Sequence, residues 1–320
     1  MIKKGCNPWS RLRQWLVREE WCIAIRPRGD TLLCDAHGTE APFSVIPNSF
    51  RYWCADPFIV SYRECDYLFF EMFDRFQGKG AIGCRIIQNG KVSRMRVIYS
   101  EDTHLSFPFV FQRNDDWFMI PESAKSRTIP LLRAVDFPNR WEPAAQWMQG
   151  NRYADSVLVT KDGNVFLFSQ PLGEGQYRLD LLKLFFREGK DWKEHPTNPI
   201  IKDKRYARMA GKIFQSKGIL VRPAQDCENE YGEKIHFRRI DQISTTEYIE
   251  GEMACLSAQE LSFFGKKEKY CGIHTYNFSE RYEVVDLKLP SCVRPGYIIS
   301  ILFNLINRMY RVGKKSVANV

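Results

Sequence analysis

A short apolar strand, a polar turn and a second, aromatic-rich strand recur along this chain about every 50 residues, and helix-length amphipathic patterns are scarce between them. The unit reads "PFIVSYRECDYLFFEMF", "PFVFQRNDDWFMIPES", "SVLVTKDGNVFLFSQP" and "GKIFQSKGILVRPAQD" in turn. Each turn holds Asp, Asn, Gly or Lys between β-branched and aromatic residues, which marks a hairpin, and the Asp-Gly of "KDGN" is the strongest short signal of one. Superposing the units places Asp56, Phe107, Asp155 and Gly211 at equivalent positions. A fifth unit fits "KYCGIHTYNFSERYEVVDLKL" (269–289) after a longer gap.

That period belongs to a propeller blade rather than to a sandwich strand. Further strands follow the hairpins, as at 80–100 and 235–244, and "EEWCIAIRPRG" (19–29) is expected to close the ring beside the last blade. The expected fold is therefore all-β: a five-bladed β-propeller over 19–290, with a short basic and aromatic N-terminal extension (1–18) and a C-terminal amphipathic basic helix or tail (291–320). A non-cyclic pair of β-sandwiches is the alternative. Within the tail, "GYIISILFNLINRMYRVGKK" (296–315) is apolar over a stretch too short to span a bilayer. It suits a helix lying on an anionic membrane surface with Arg308, Arg311, Lys314 and Lys315 at the headgroups, or one docked on the propeller's side.

Charge and cysteine content narrow the class. The formal charge is +9, but the excess is spread along the chain with concentration only near its ends. A nucleic-acid binder usually shows a dense basic stripe and a recognisable motif, so nucleic acid is not an expected partner. Ten cysteines in 320 residues are too few for a disulfide scaffold, and no CxxC pair suggests a zinc knuckle. Cys54, Cys84, Cys255 and Cys271 sit in apolar strand-like text, as reduced thiols do. The first residues lack an uninterrupted apolar core and a cleavage site, so the expectation is a cytoplasmic protein with a peripheral place on the inner membrane face. The sequon Asn277-Phe278-Ser279 is short enough to arise by chance.

In a propeller the innermost strands converge on one mouth. Asp56 and Asp155 would face it from blades one and three, and converging carboxylates on a sugar-sized pocket are the equipment of glycoside chemistry. The alternative is that each Asp caps the turn before its strand; two at one blade position favour a functional use. Glu71 and Glu122 end the second strands of blades one and two, with Gln225 and Asp226 at the corresponding place in blade four. Glu71 reads as structural and Glu122 as functional. His104 and Ser106 before blade two, and His274 in blade five, are candidates to point at the axis, and His274 is placed to hold a divalent metal or a water in the channel. Arg133, Arg208 and Arg222 are candidate clamps for a carboxylate or phosphate on a substrate. No P-loop, Gly-x-Ser-x-Gly elbow, His-Glu-x-x-His helix or Asp-x-Asp metal motif is present, so no cofactor or metal site is assigned.

The stretches "ADPFI…YLFFE", "HLSFPFVF…FMIPES", "LLRAVDFPNRW", "ADSVL", "HPTNPI", "RPAQDCENEYG" and "GIHTYNF" resemble, in order over about residues 50 to 285, the N-terminal domain of plant glucosamine inositolphosphorylceramide transferases and their bacterial stand-alone relatives. The wider resemblance is to five-bladed arabinanase, xylosidase and invertase-type hydrolases. It implies that Asp56 matches their base or nucleophile and that Asp155 lies near their transition-state-stabilising or pKa-modulating acid. Where those hydrolases place a general-acid Glu, this chain has "RMAGK", so Glu122 would have to substitute. That loss disfavours hydrolysis more than transfer from a donor with a good leaving group. The resemblance therefore implies glycosyl transfer in surface polysaccharide or glycolipid biosynthesis, with a carbohydrate or lipid-linked sugar as partner. A non-catalytic carbohydrate-binding scaffold that assists a transferase, and a glycoside hydrolase, are the alternatives.

Overall fold

The structure, a computed structural model, describes residues 19–35, 41–173, 179–265 and 270–290. Five antiparallel sheets follow one another round a ring. Strands β1 (Glu20–Pro27) and β2 (Ser44–Ile46) come first in the chain. Blade one comprises β3 (Tyr52–Tyr62), β4 (Cys65–Asp74) and β5 (Lys79–Gln88), edged by β6 (Lys91–Val92) and β7 (Arg96–Tyr99). Blade two is β8 (Ser106–Arg113), β9 (Asp116–Glu122), β10 (Ile129–Asp136) and β11 (Arg140–Trp147). Blade three is β12 (Tyr153–Lys161), β13 (Asn164–Pro171), β14 (Lys183–Glu188) and β15 (Asp191–Glu194). Blade four is β16 (Arg208–Met209), β17 (Phe214–Ser216), β18 (Ile219–Asp226), β19 (Lys234–Ile243) and β20 (Tyr248–Ser257). The last blade starts with β21 (Tyr276–Phe278) and β22 (Tyr282–Leu289).

The five-bladed propeller expected from the 50-residue period is the observed fold. The early strand closes it as expected: β1 pairs with β22 from Glu20↔Leu289 to Pro27↔Tyr282, giving the order β2-β1-β22-β21. Buried ion pairs fasten this closure. Arg26 bonds Glu283 through Nε and Nη2, and Glu283 also accepts from the Leu33 amide and the Tyr276 hydroxyl. Arg75 bonds both oxygens of Glu20 at 2.7 and 2.9 Å, tying blade one to β1.

Turn chemistry follows the residues. Asp162 and Gly163 both have positive φ and Lys161 pairs with Asn164, the two-residue turn that Asp-Gly favours. Apolar side chains of neighbouring sheets interleave, as where Phe58 meets Phe107 edge-on at 4.9 Å and Phe237 meets Tyr276 at 5.3 Å. All eight described cysteines are free. Burial pushes the Cys54 and Cys84 thiols up to about 12, which leaves them inert. Cys255 and Cys271, expected inside, are exposed: Cys255 lies on β20, the outermost strand of blade four, and Cys271 in the loop before β21. The sequon Asn277 is buried: its amide donates to the Pro57 carbonyl and its oxygen accepts from the Lys212 amide, so the side chain is a blade-to-blade tie. The proposed N-terminal extension and C-terminal helix lie outside the described residues. Among the described residues no helix is long and apolar enough to cross a membrane.

The equivalence of Asp56, Phe107, Asp155 and Gly211 is written in the backbone. All four have positive φ (50°, 43°, 48° and 141°), and the first three lie in register shifts between Ala55 and Phe58, Ser106 and Phe109, and Ala154 and Val157. The inner strands of blades one to three thus each carry one bulge at the same height, which re-aims a side chain inward. At Gly211 the close neighbour is backbone: a Cβ there would lie 2.1 Å from the Tyr276 carbonyl oxygen. Gly211→Ala should therefore cost at least about 2 kcal/mol of stability, against about 1 kcal/mol for Gly163→Ala, whose Cβ would meet open space. Urea midpoints of the two variants, compared at constant slope, check the difference.

Candidate functional site

The bulges bring Asp56 from β3 and Asp155 from β12 to the channel, and both are buried. Second strands supply a matching set. Glu71 pairs with Ala55, Glu122 with Ser106 and Gln170 with Ala154, each opposite the residue that precedes a bulge, while the Asp286 amide bonds the Thr275 carbonyl in the last blade. Blade four contributes Arg208 from β16, opposite Gln225.

Arg208 organises one half of the site. Its Nε lies 2.6 Å from Asp155 Oδ2, its Nη2 3.7 Å from Glu122 Oε2, and its Nη1 donates to Gln170 Oε1 at 3.2 Å. The guanidinium also sits 5.2 Å from the centre of the Tyr231 ring. Because guanidinium nitrogens only donate, the Gln170 oxygen must face Arg208, and its buried Nε2 is left without a hydrogen bond. Gln225 Nε2 is buried and unbonded in the same way. Two amide donors beside Arg208 are thus unspent, which suits a ligand rich in hydroxyl or other acceptor oxygens.

The other half centres on Asp56. Its Oδ2 accepts from the Phe107 amide at 3.1 Å and its Oδ1 from the Thr275 hydroxyl at 3.0 Å, while its own amide donates to Asp286 Oδ2. Asp286 lies 2.6 Å from His274 Nδ1 and accepts from the His274 and Thr275 amides. The His274 ring stacks on Trp21 at 3.8 Å and presents Nε2 3.7 Å from Asp56 Oδ1. Asp56, His274 and Asp286 form a group whose geometry could hold a metal ion. Asp286 already spends its oxygens on three backbone amides and the imidazole, so a divalent cation would have His274 Nε2 and the remaining lone pair of Asp56 Oδ1, which also accepts from Thr275.

These acids share one field. Burial pushes the Asp155 carboxyl well above the usual range; Arg208 opposes this, while the Glu122 and Asp56 charges and a hydrogen bond with Glu122 add to it. Burial likewise raises Glu71 far above its ordinary value, reinforced by Asp56, Glu122, Asp286 and Asp155. Asp56 is raised by burial and Asp286, with His274 and Arg208 opposing. Three carboxyls with raised affinity for protons, one of them paired with a buried arginine, can move protons and stabilise charge.

Of the candidates read from the sequence, Asp56, Asp155, Glu122, Arg208, Ser106, Gln225, His104 and His274 fall in or against this cluster. Three do not. Arg133 is exposed on an outer strand and pairs with Asp116 at 2.8 Å. Arg222 is fully buried inside blade four, where Nε and Nη2 clasp the two Glu250 oxygens at 2.7 Å. Asp226 faces His236, which is partly buried but is pushed up to about 9 by hydrogen bonds with Cys255, Glu252 and Asp226. Glu71, read as structural, belongs to the field of acids. Asp286, Gln170, Trp21 and Tyr231 were not singled out; the only signal for Asp286 was an acid interrupting "EVVDLKL".

With this geometry in place, the likeness to known proteins is specific. A family model described as glucosamine inositolphosphorylceramide transferase 1, N-terminal, matches residues 36–281. Glucosamine inositolphosphorylceramide transferase 1 of Arabidopsis thaliana is 34% identical over 217 residues, 66% of this chain and 28% of that protein. Its namesake from Oryza sativa subsp. japonica is 30% identical over 231 residues, 70% of this chain and 30% of that protein. The chain thus matches less than a third of the length of these relatives. By structure, an α-L-arabinofuranosidase from Podospora anserina superposes with a TM-score of 0.54 at 9% identity, covering 75% of this chain and 92% of that one. The GH62 α-L-arabinofuranosidase catalytic domain of Coprinopsis cinerea gives 0.53 at 11%, with the same coverage. These two share the fold.

The raised acids make stability depend on pH. A carboxyl whose folded pKa lies above its unfolded one keeps its proton after the unfolded chain has released it, so its contribution to stability falls as pH rises above about 4. Glu71→Gln removes that loss. Relative to the parent protein, the variant should gain up to about 1.4 kcal/mol per pH unit between about pH 5 and the pH at which folded Glu71 ionises, read from denaturation midpoints across pH.

Proposed function

The chain belongs to the family of the glucosamine inositolphosphorylceramide transferase 1 N-terminal region, and from that membership together with the acid cluster we propose that it acts on carbohydrate in glycosyl transfer to a lipid-linked acceptor, in assembly of a surface polysaccharide or glycolipid. The observation that carries this reading is the convergence of Asp56, Glu71, Glu122 and Asp155 with Arg208 at one end of the propeller strands. In the proposed roles, Asp56 accepts a proton from the attacking hydroxyl. Asp155, held by Arg208, stabilises positive charge developing on the sugar, and Glu122 assists from the far side of Arg208. The unspent Gln170 and Gln225 amides hold sugar oxygens, and Arg208 meets an anionic group on donor or acceptor. A cation held by His274 Nε2 and Asp56 Oδ1 would supply charge for the same purpose. The basic residues of the tail are proposed to keep the protein at an anionic membrane face, on its cytoplasmic side.

The rival reading, a carbohydrate-binding scaffold that recruits a transferase, draws support from the commitment of both Asp56 oxygens to structural hydrogen bonds. The two separate in one experiment. Purified protein is incubated with a panel of sugar nucleotides and phosphoinositol-type or polyprenyl-phosphate lipids, and products are followed by mass spectrometry. Asp56→Asn and Asp155→Asn should each lower transfer by about 10²–10⁴-fold while circular dichroism shows a folded protein. Unchanged transfer in both variants overturns the enzymatic reading, and glycan binding without any transfer favours the scaffold.

A further inference from the structure

Glu71 differs from the other acids of the cluster in what surrounds its charge. Asp155 has Arg208, Asp56 has the Thr275 hydroxyl and the Phe107 amide, and Asp286 has three amides and an imidazole. Glu122 has Arg208 at 3.7 Å. Glu71 Oε1 is sealed from solvent without a hydrogen bond, and His104 Nε2 lies 3.4 Å from it. The charged groups facing Glu71 are Asp56, Glu122, Asp155 and Asp286, all acidic, with the titratable His104 beside it. A buried carboxyl so placed has little to hold a negative charge and no donor bonded to Oε1.

The state of His104 follows from its other nitrogen. Nδ1 accepts the Gly80 amide at 2.9 Å, so it carries no proton, and in the neutral ring the hydrogen sits on Nε2, toward Glu71. Burial holds His104 below its ordinary pKa, with Glu122 opposing, which favours that neutral ring. The approach depends on a missing side chain: a Cβ on Gly80 would lie 2.4 Å from the Leu105 carbonyl oxygen and 2.8 Å from Glu71 Oε1. His104 is 38% exposed and Glu71 8%, so the imidazole spans from the surface to the buried acid.

We propose that Glu71 carries the transferable proton of this site on Oε2, with His104 a positioning residue whose Nε2–H is aimed at Oε1. The role rests on the reading of the site as one for glycosyl transfer. In the step, the Glu71 O–H bond breaks as the proton bonds to the departing oxygen of the donor, and the electron pair stays on the carboxylate. The His104 Nε2–H then closes on that carboxylate, and water returns a proton to Oε2 after the product leaves. Asp155 is a poorer donor, since the Arg208 guanidinium 2.6 Å away favours its charged form. Glu71 thereby fills the place of the general acid that the inner strand of blade four lacks.

The test reads the resting protein without substrate, so it can fail while the proposed function stands, and the reverse. Protein labelled with ¹³C at the glutamate carboxyl carbon is titrated by NMR from pH 4 to 9. One glutamate resonance should keep the shift of a protonated acid after the exposed glutamates have ionised near their usual value of about 4.3. It should vanish in Glu71→Gln, and in His104→Ala its ionisation should move upward by about one unit, tenfold in the equilibrium constant, because the carboxylate has lost its donor. The second variant alters a partly exposed side chain and identifies the resonance even if the first fails to fold. If every glutamate ionises with the exposed ones, or the late resonance survives Glu71→Gln, the proton is not on Glu71. A late resonance unmoved by His104→Ala overturns the positioning role.

Discussion

The carboxylate of Asp56 holds three blades at one point. It accepts from the Phe107 amide of the next blade and the Thr275 hydroxyl of the last, while its own amide donates to Asp286. These bonds compensate for a backbone that L-residues adopt at a cost of about 1–2 kcal/mol. Because the bulge at Phe107 is held by Asp56, the height at which blade two presents Ser106 and Glu122 depends on blade one. The site is therefore a property of how the blades are clamped, and not of any single blade. Chemistry and closure draw on the same side chain, so Asp56 is constrained twice.

Arg208 plays the corresponding part across blades two, three and four. Burial disfavours its charge, yet Asp155, Tyr231 and Glu122 more than restore it. A buried arginine paired this closely loses freedom to move, and in return fixes the rotamers of Asp155 and Gln170. Such fixed geometry is what differential stabilisation of a transition state requires. Against this rigid half, the Glu71 side of the channel is electrostatically loose, with acids facing one another and little to neutralise them.

What could be read from the sequence was what is local. Hairpins announce themselves within about 16 residues, so the blade number, the turns and the equivalence of Asp56, Phe107, Asp155 and Gly211 were all legible. Residue roles that depend on a partner elsewhere in the ring were not. Arg222 resembles a clamp until Glu250, on a different strand, is seen to take its Nε and Nη2 and the Tyr206 carbonyl to accept from Nη2 as well. Arg133 sits in strand text that gives no sign of lying at the outer side of its blade. Asp286 reads as the polar residue of an alternating strand, and its bond to the Asp56 amide spans 230 positions. Glu71 suffers the same limit, since three of the four acids around it, Glu122, Asp155 and Asp286, come from other blades.

The pairing of β1 with β22 also sets a timetable. A strand completed by residue 27 finds its main partner only when residues 282 to 289 exist. During synthesis at roughly 5–20 residues per second, "EWCIAIRP" must wait many seconds with an apolar face unpaired. Its buried Glu20 and Arg26, whose partners are Arg75 and Glu283, keep charge on that waiting strand. The ring cannot lock in the order in which it is made, and the same charged residues that later fasten the closed circle discourage the early strand from pairing with the wrong edge in the interval.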